Sequence, residues 1–545
     1  MPAALRLLPV ASADPAASAA PPLLPARPLP LKLLPTLVLS AALTLTPAPA
    51  PAQVLPPAND LPTLGEAAAD DLSPANERRL GESIMRQVVR DPQYLADPDA
   101  TEYVNALGYQ LVAASPARHI DFNFFVIRDP MINAFALPGG FIGLHTGLVL
   151  TAQSESELAA VVAHEIGHVE QRHIARMLAR QKDATAIAIG ALLLALLAAR
   201  SNSSSGGDLT QAAILGGQAA AIQQQLNFSR EAEREADRVG FQILVNAGFD
   251  ARAMATFFGR LQQGMRLYES AAPSYLRTHP LTVERIGDIQ TRVRETRVRQ
   301  RADSTDFPLI RARLRVLQDP SVQGLRDSQE HFATQLSNRS AGSEAAAHYG
   351  LALASLRLGQ HERAVQAAAA ARRLVRAPSA TLDKLVSETR YSAASSNEER
   401  EAALALARDA TQRFPLSRLT AMHYVDLLQR AGQHETAIAF LRDQLGLPRS
   451  DSGYYAALAK SYAALERWTL HHQAVAEAYL LLGATPAALD QLQLARRAAD
   501  ADFYVLSEID ARIRQLQQQA KEQREELARQ GRRPPEEEPP RERRR

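Results

Sequence analysis

The sequence predicts a mainly α-helical protein in two parts, a metal-site domain carrying a small sheet and then a helical solenoid. Three observations carry that expectation. His164-Glu165-Ile166-Gly167-His168 has the HExxH form inside an apolar, helix-like context. Asn133 to Leu137 is an alternating run closed by Pro138-Gly139-Gly140, the pattern of a strand and turn. From about residue 310 small residues recur in helical windows spaced about 34 residues apart, which marks stacked helix pairs.

Residues 1–52 read as a leader. Arg27 and Lys32 precede an apolar run, Leu33 to Leu45, interrupted by Pro35, and small residues follow up to Ala52. That is a cleavable secretory signal pattern and not a spanning helix. Residues 53–72 form a Pro-rich linker. Ser73-Pro74 opens the first helix, with Pro at a favoured first position. Asp121 to Arg128 partly alternates, as a strand does. The metal-site domain is expected over 73–309, the repeats over 310–516, and a charged, Pro-rich, disordered tail over 517–545.

Composition bounds the chemistry. The 545 residues are 46% hydrophobic, enough for folded cores. There is no cysteine, so disulfides, a Cys-ligated metal and a lipid-bearing N-terminal Cys are excluded. The formal net charge is +2, and removing the leader with Arg6, Arg27, Lys32 and Asp14 brings it to zero. Nothing there points to nucleic acid.

HExxH is specific. With 13 His in the chain, about 0.02 such motifs arise by chance. Residues four apart share a helix face, so His164 and His168 can offer two imidazole nitrogens to one ion. Glu165 beside them is placed to take a proton from a metal-bound water. Ser154 to Glu157 has the capping-box form that starts such a helix. Two His do not hold a catalytic zinc, and a third protein ligand is needed. Glu233 and Asp237 lie four apart on a helix-like segment, one suited to ligate and the other to orient a ligating His. Arg230, Arg234 and Arg238 alternate with the acids, so a solvated charged helix is the competing reading.

HExxH followed by E-x-x-A-D, Glu233 to Asp237, resembles the zinc metalloprotease family of the bacterial heat-shock protease HtpX and the CAAX-prenyl endopeptidases. The resemblance implies Zn2+ on His164, His168 and Glu233, with Glu165 as catalytic base and Asp237 behind a ligating His. Asn133 to Gly140 and Thr146-Gly147-Leu148 resemble that family's segment upstream of the metal helix. Asn133, Ala134, Phe135 and Ala136 then form an edge that pairs with an extended substrate. Thr278-His279-Pro280 with Arg285-Ile286 resembles the T-H-P-x-x-x-x-R-I segment of its periplasmic branch. There His279 completes a four-ligand resting shell or stabilises the tetrahedral intermediate; the competing use is a loop His bonded to a carbonyl. His173, five residues past His168, should turn to another face. His145 can line the cleft. Adjacent His471 and His472 point apart and make no second site.

Between the metal segments, Ala184 to Ala199 is almost wholly apolar, Ser201 to Asp208 is polar, and Leu209 to Leu226 is Ala- and Gln-rich. The first stretch is short for a membrane span, so a hydrophobic hairpin is expected. It either packs as core or makes peripheral contact with a membrane or nascent barrel strands. The windows Ala352/Ala364/Ala371, Ala403/Ala410/Pro415, Val425/Ala437/Leu441 and Ala476/Ala488/Ala495 loosely resemble tetratricopeptide repeats. The resemblance implies a periplasmic zinc endopeptidase with chaperone activity. Its expected polypeptide substrates are misassembled outer-membrane β-barrels, and its repeats dock the β-barrel assembly machinery. The rival is a periplasmic chaperone or adaptor whose protease site is held shut.

Overall fold

The computed structural model describes residues 73–116, 120–180, 230–267, 274–297, 299–446 and 452–529. The expected leader, linker, hydrophobic hairpin and last part of the tail lie outside these.

Ser73 caps helix α1 (Pro74–Val88), its side chain accepting from the Asn76 amide, with Pro at the start. Asp97 caps α2 (Pro98–Ala113) in the same way through Ala100. Three strands follow, β1 (Asn123–Ile127), β2 (Ala134–Leu137) and β3 (Phe141–His145). Their order is β1-β3-β2, with β1 parallel and β2 antiparallel to β3. The turn 138–140 closes the β2–β3 hairpin, pairing Leu137 with Phe141 and Ala134 with Leu144. β2 is therefore an edge strand, and it lies against the metal helix.

Helix α3 (Thr146–Thr151) leads to α4 (Glu155–Glu170), which carries HExxH. Ser154 caps α4 through Glu157, but the Glu157 carboxylate takes the Gln153 amide and Arg260 instead of closing the box on Ser154. Residues Leu158 to Val162 are buried, so α4 runs through the core and not over it. Short α5 (His173–Arg180) follows, then α6 (Arg230–Asn246), α7 (Arg252–Leu267), α8 (Ser274–Thr278) and α9 (Val283–Glu295). α4 and α6 touch backbone to backbone. A Cβ at Gly167 would sit 2.9 Å from the Ala236 carbonyl oxygen, and one at Gly240 would sit 2.9 Å from the Ala163 backbone. Only glycine lets two helices approach so closely.

The second half is helical throughout the described residues. It comprises α10 (Asp306–Gln318), α11 (Val322–Ser337), α12 (Glu344–Arg357), α13 (His361–Leu374), α14 (Ala380–Ala393), α15 (Asn397–Arg413), α16 (Arg418–Arg430), α17 (His434–Leu445), α18 (Ser452–Ala464), α19 (Trp468–Leu481), α20 (Thr485–Arg497) and α21 (Phe503–Arg529). Neighbours in sequence pack as successive hairpins. The small residues of the repeat windows are buried where the helices meet, among them Ala352, Ala364, Ala437, Ala476 and Ala488 at 0% exposure. One turn recurs. The amides of Gln360, Gln433, Arg467 and Ala484 each bond a carbonyl five residues back, at 2.9 Å in every case. The residue before each has positive φ, namely Gly359, Gly432, Glu466 and Gly483. This is the Schellman ending of an α-helix, and it resets the chain for the return helix.

The 309/310 border expected between the halves falls inside α10. Ile310, Leu314 and Leu317 pack into the core around α4, whereas Leu309, Ala312 and Val316 pack into that of α11 to α14. The described residues of both halves belong to one compact unit. A buried polar cluster pins them. Arg313 holds both carboxylate oxygens of Asp97 at 2.7 and 2.6 Å, Asp99 at 2.9 Å and the Tyr349 hydroxyl at 3.0 Å. Lys384 of α14 also pairs with Asp99. The α21 helix continues to Arg529, past the expected start of a disordered tail at 517. Ile509 and Leu516 are buried, and exposed pairs such as Gln518–Glu522 line its outer face.

Candidate metal centre

Four donors from three elements meet inside the first half. His164 and His168 come from α4, Glu233 from α6, and His279 from the segment after α8. The His164 and His168 Nε2 atoms are 3.0 Å apart. His279 Nδ1 lies 3.4 Å from His164 Nε2 and 3.0 Å from Glu233 Oε1. Glu233 places its oxygens 3.4 Å from His168 Nε2 and 3.5 Å from His164 Nε2. A tetrahedral ion with bonds of about 2.0–2.1 Å sets its donors about 3.3 Å apart. The observed spacings match that edge length, so the residues present fit a four-coordinate metal. All four are buried to 1% exposure or less.

Charge agrees with geometry. Burial works against a proton on His164, but the Asp237 and Glu233 carboxylates outweigh it and hold the ring up at about 9. Burial also opposes ionisation of Glu233, yet His279, His164 and His168 keep it well below the usual carboxylate range. Burial drives His168 well below its ordinary value, which leaves its nitrogen lone pair available. Glu233 and Asp237 bring negative charge to the donors, and a bound cation would take the place of the proton they hold on His164.

Glu165 follows His164 and faces the same space, with His279 Nε2 at 3.5 Å from its Oε1. The Ala136 amide of β2 also acts on this carboxylate. Burial pushes the Glu165 carboxyl above the usual range, against the pull of His279 and His164. Asp237, one helical turn past Glu233, puts Oδ1 3.0 Å from His164 Nδ1. The α6 face that turns inward carries Glu233, Ala236, Asp237 and Gly240, while Arg234 and Arg238 remain exposed. The charged-surface reading of this helix is thus replaced by one in which the acids face in and the arginines out.

Two neighbours had no assigned role in the sequence reading. Arg285 of α9 is 2% exposed. It grips Asp237 at 2.7 and 2.8 Å, Glu233 Oε2 at 2.7 Å and the Pro280 carbonyl at 2.8 Å. It thereby fixes both carboxylates and the turn that presents His279. Tyr275 stacks on the His279 ring at 4.7 Å, and its amide bonds the Ile132 carbonyl just before β2. An arginine on an amphipathic helix reads as exposed in a sequence; only the acids it meets across the fold bring it inside.

The edge expected to meet a substrate begins one residue earlier than β2. Asn133 lies outside the strand, its carbonyl accepting from the His145 amide, and Ala134, Phe135 and Ala136 form the strand itself. His145 is buried, with its ring against Phe135 and its Nδ1 3.4 Å from Asp129. His471 and His472 bond the Ala459 carbonyl and Gln491, far from this cluster in the chain.

A buried HExxH helix, a carboxylate from a second helix among its donors and a further carboxylate beside them have the arrangement of an HExxH metallopeptidase site. The family profile described as Peptidase family M48 matches residues 98–293. The beta-barrel assembly-enhancing protease of Escherichia coli strain K12 is 32% identical over 477 residues, covering 85% of this chain and 92% of that protein. The chain belongs to peptidase family M48, and it is a metalloendopeptidase. A putative beta-barrel assembly-enhancing protease of Vibrio cholerae is 44% identical over 259 residues, 47% of this chain and about half, 52%, of that one. A mitochondrial metalloendopeptidase of Schizosaccharomyces pombe is 30% identical over 237 residues, 42% and 65% of the two chains. Among solved structures, a thermophilic TPR protein of Thermus thermophilus aligns over 37% of this chain and 96% of its own, at 21% identity and a TM-score of 0.22.

Proposed function

We propose that this protein is a zinc endopeptidase of the periplasm that removes misassembled outer-membrane β-barrel proteins and assists their assembly. The observation that carries the zinc reading is the tetrahedral spacing of His164, His168, Glu233 and His279 around one point, with no cysteine in the chain. Nitrogen and carboxylate donors in that geometry suit Zn2+. When bound, the ion supplies Lewis acidity and a water of lowered pKa. His164, His168 and Glu233 are the permanent ligands, and Asp237 and Arg285 hold His164 and Glu233 in place. Glu165, its carboxyl raised by burial, accepts a proton from water and returns it to the leaving amine. The β2 edge, Ala134 to Ala136 with Asn133, aligns an extended polypeptide by strand addition. The helical repeats dock the assembly machinery. The substrate class rests on the names of the E. coli and V. cholerae relatives, and the compartment on the leader pattern of residues 1–52.

His279 gives the resting enzyme a lock. With Nδ1 inside the donor cluster it takes the position an incoming water needs. The closed site and the protease reading thus combine into one enzyme that idles until the Thr278–Pro280 segment moves. Metal analysis tests the ligand set. One zinc per chain is expected in the wild type. Glu233→Ala, which removes a ligand, is expected to lose it under mild chelation; full zinc retention would remove Glu233 from the set.

A further inference from the structure

The second HExxH histidine is steered by a side chain that the motif does not contain. Helix α4 ends at Glu170, and Arg172 takes φ +52°, left-handed backbone in a residue other than glycine. That conformation costs free energy unless surrounding contacts impose it. Here Arg172 Nε lies 3.3 Å from Oε2 of Glu77, a buried carboxylate on α1, which holds the turn. The break redirects the chain. His173, which an unbroken helix would send to another face, comes back against the metal helix, with its Nδ1 2.8 Å from His168 Nδ1. On its far side, His173 Nε2 is 3.0 Å from Glu235 Oε2, and Arg176 holds that same oxygen at 2.7 Å. His173 is 3% exposed.

Proton counting gives this chain a direction. His168 presents Nε2 to the donor cluster, so Nε2 must keep its lone pair free and the ring proton must sit on Nδ1. At 2.8 Å from another ring nitrogen, that proton needs an acceptor, so His173 Nδ1 must be bare. The His173 proton then sits on Nε2, where the Glu235 carboxylate accepts it. Every bond in the series is satisfied in this one arrangement and broken by flipping either tautomer. His164 receives the equivalent service directly from Asp237.

We propose that His173, backed by Glu235 and Arg176, is a positioning residue for the metal: it fixes the tautomer and ring orientation of His168 for Nε2 ligation. The inference rests on His168 being a ligand. Outer partners of metal-bound histidines are worth about 10–100-fold in metal affinity.

The test is competition for zinc between the full-length protein and a chromogenic chelator. It uses His173→Leu, which removes the acceptor, His173→Asn, whose side-chain oxygen can replace Nδ1, and Glu235→Ala. His173→Leu is expected to bind zinc about 10–100-fold more weakly, with its apo far-UV spectrum unchanged. His173→Asn is expected to recover most of that loss, and Glu235→Ala to fall between. Affinity within about twofold of wild type in folded His173→Leu overturns the proposal. So does an equal loss in the Leu and Asn variants, because bulk and not an acceptor would then matter. If His173→Leu does not fold, Glu235→Ala with His173→Asn decides, and wild-type affinity in Glu235→Ala overturns the chain. A long-range 1H–15N spectrum of the zinc-loaded protein should show His168 protonated at Nδ1 and His173 at Nε2; the reverse for His173 is a refutation. His168→Ala is the control for the underlying reading. Zinc retained there removes His168 as a ligand, whereas zinc lost there and kept in His173→Leu rejects only the relay.

Discussion

Replacing Arg313 with methionine probes how the two halves hold each other. Arg313 sits on α10 at 6% exposure and pairs with Asp97 and Asp99 at the start of α2. Methionine keeps most of the length and the apolar stem but leaves two buried carboxylates with Lys384 as their main cationic neighbour. Breaking a buried pair by removing one partner costs about 3–5 kcal/mol. The pH dependence has a definite sign. In the wild type, burial raises Asp97, but Arg313 outweighs it and holds the folded value below 3.8, the unfolded reference. That stabilisation is therefore present above 3.8 and lost as pH falls through the folded value. Without Arg313, burial dominates and the folded value rises, so the penalty is largest at neutral pH and eases toward pH 4. Urea unfolding followed by far-UV circular dichroism should show a loss of about 3 kcal/mol or more at pH 7, and a smaller one near pH 4.5. Adding Asp97→Asn to Arg313→Met should restore part of the loss. A loss below about 1 kcal/mol at pH 7, the scale of an exposed pair, would refute the reasoning, as would an equal loss at both pH values.

Two further outcomes follow from the centre itself. Gly240→Ala drives a methyl into the Ala163 backbone at 2.9 Å and pushes α6 away from α4; a stability loss of about 1–3 kcal/mol is expected, together with weaker zinc binding by chelator competition. His279→Ala removes the lock and leaves three ligands, so zinc is retained and basal cleavage of casein rises; a fall in cleavage with zinc retained would mean that His279 serves the intermediate instead.

The centre was legible wherever spacing along one helix suffices. His164 and His168 share a face by the four-residue rule, and Glu233 and Asp237 do so on α6. The direction of that second face was not legible from charge pattern alone. Arg234 and Arg238 argue for solvent on both sides, and only the approach of α4 through Gly167 and Gly240 decides which side turns in. His173 was read onto a different face because helical counting assumes an unbroken helix; the left-handed Arg172, stabilised from Glu77 on α1, cancels that assumption. The contacts of Arg285 and Arg313 escaped for one shared reason. Their partners lie 48 and 216 residues away in the chain, and periodicity carries no information about such contacts. The repeats were visible through small residues at helix contacts. In the window Ala403/Ala410/Pro415 the two alanines both lie within α15 and Pro415 falls just past its end, so that window samples one helix of a hairpin and departs from the repeat register.

The central claim, hydrolysis at a zinc held by this cluster with Glu165 as the proton acceptor, is tested most directly by Glu165→Gln. The amide keeps the shape of the side chain and cannot take the proton. Zinc content and casein cleavage should be measured on the same preparation of wild type and variant. The account predicts one zinc per chain in both and cleavage reduced by at least about 100-fold in the variant. Wild-type cleavage by zinc-loaded Glu165→Gln would contradict it.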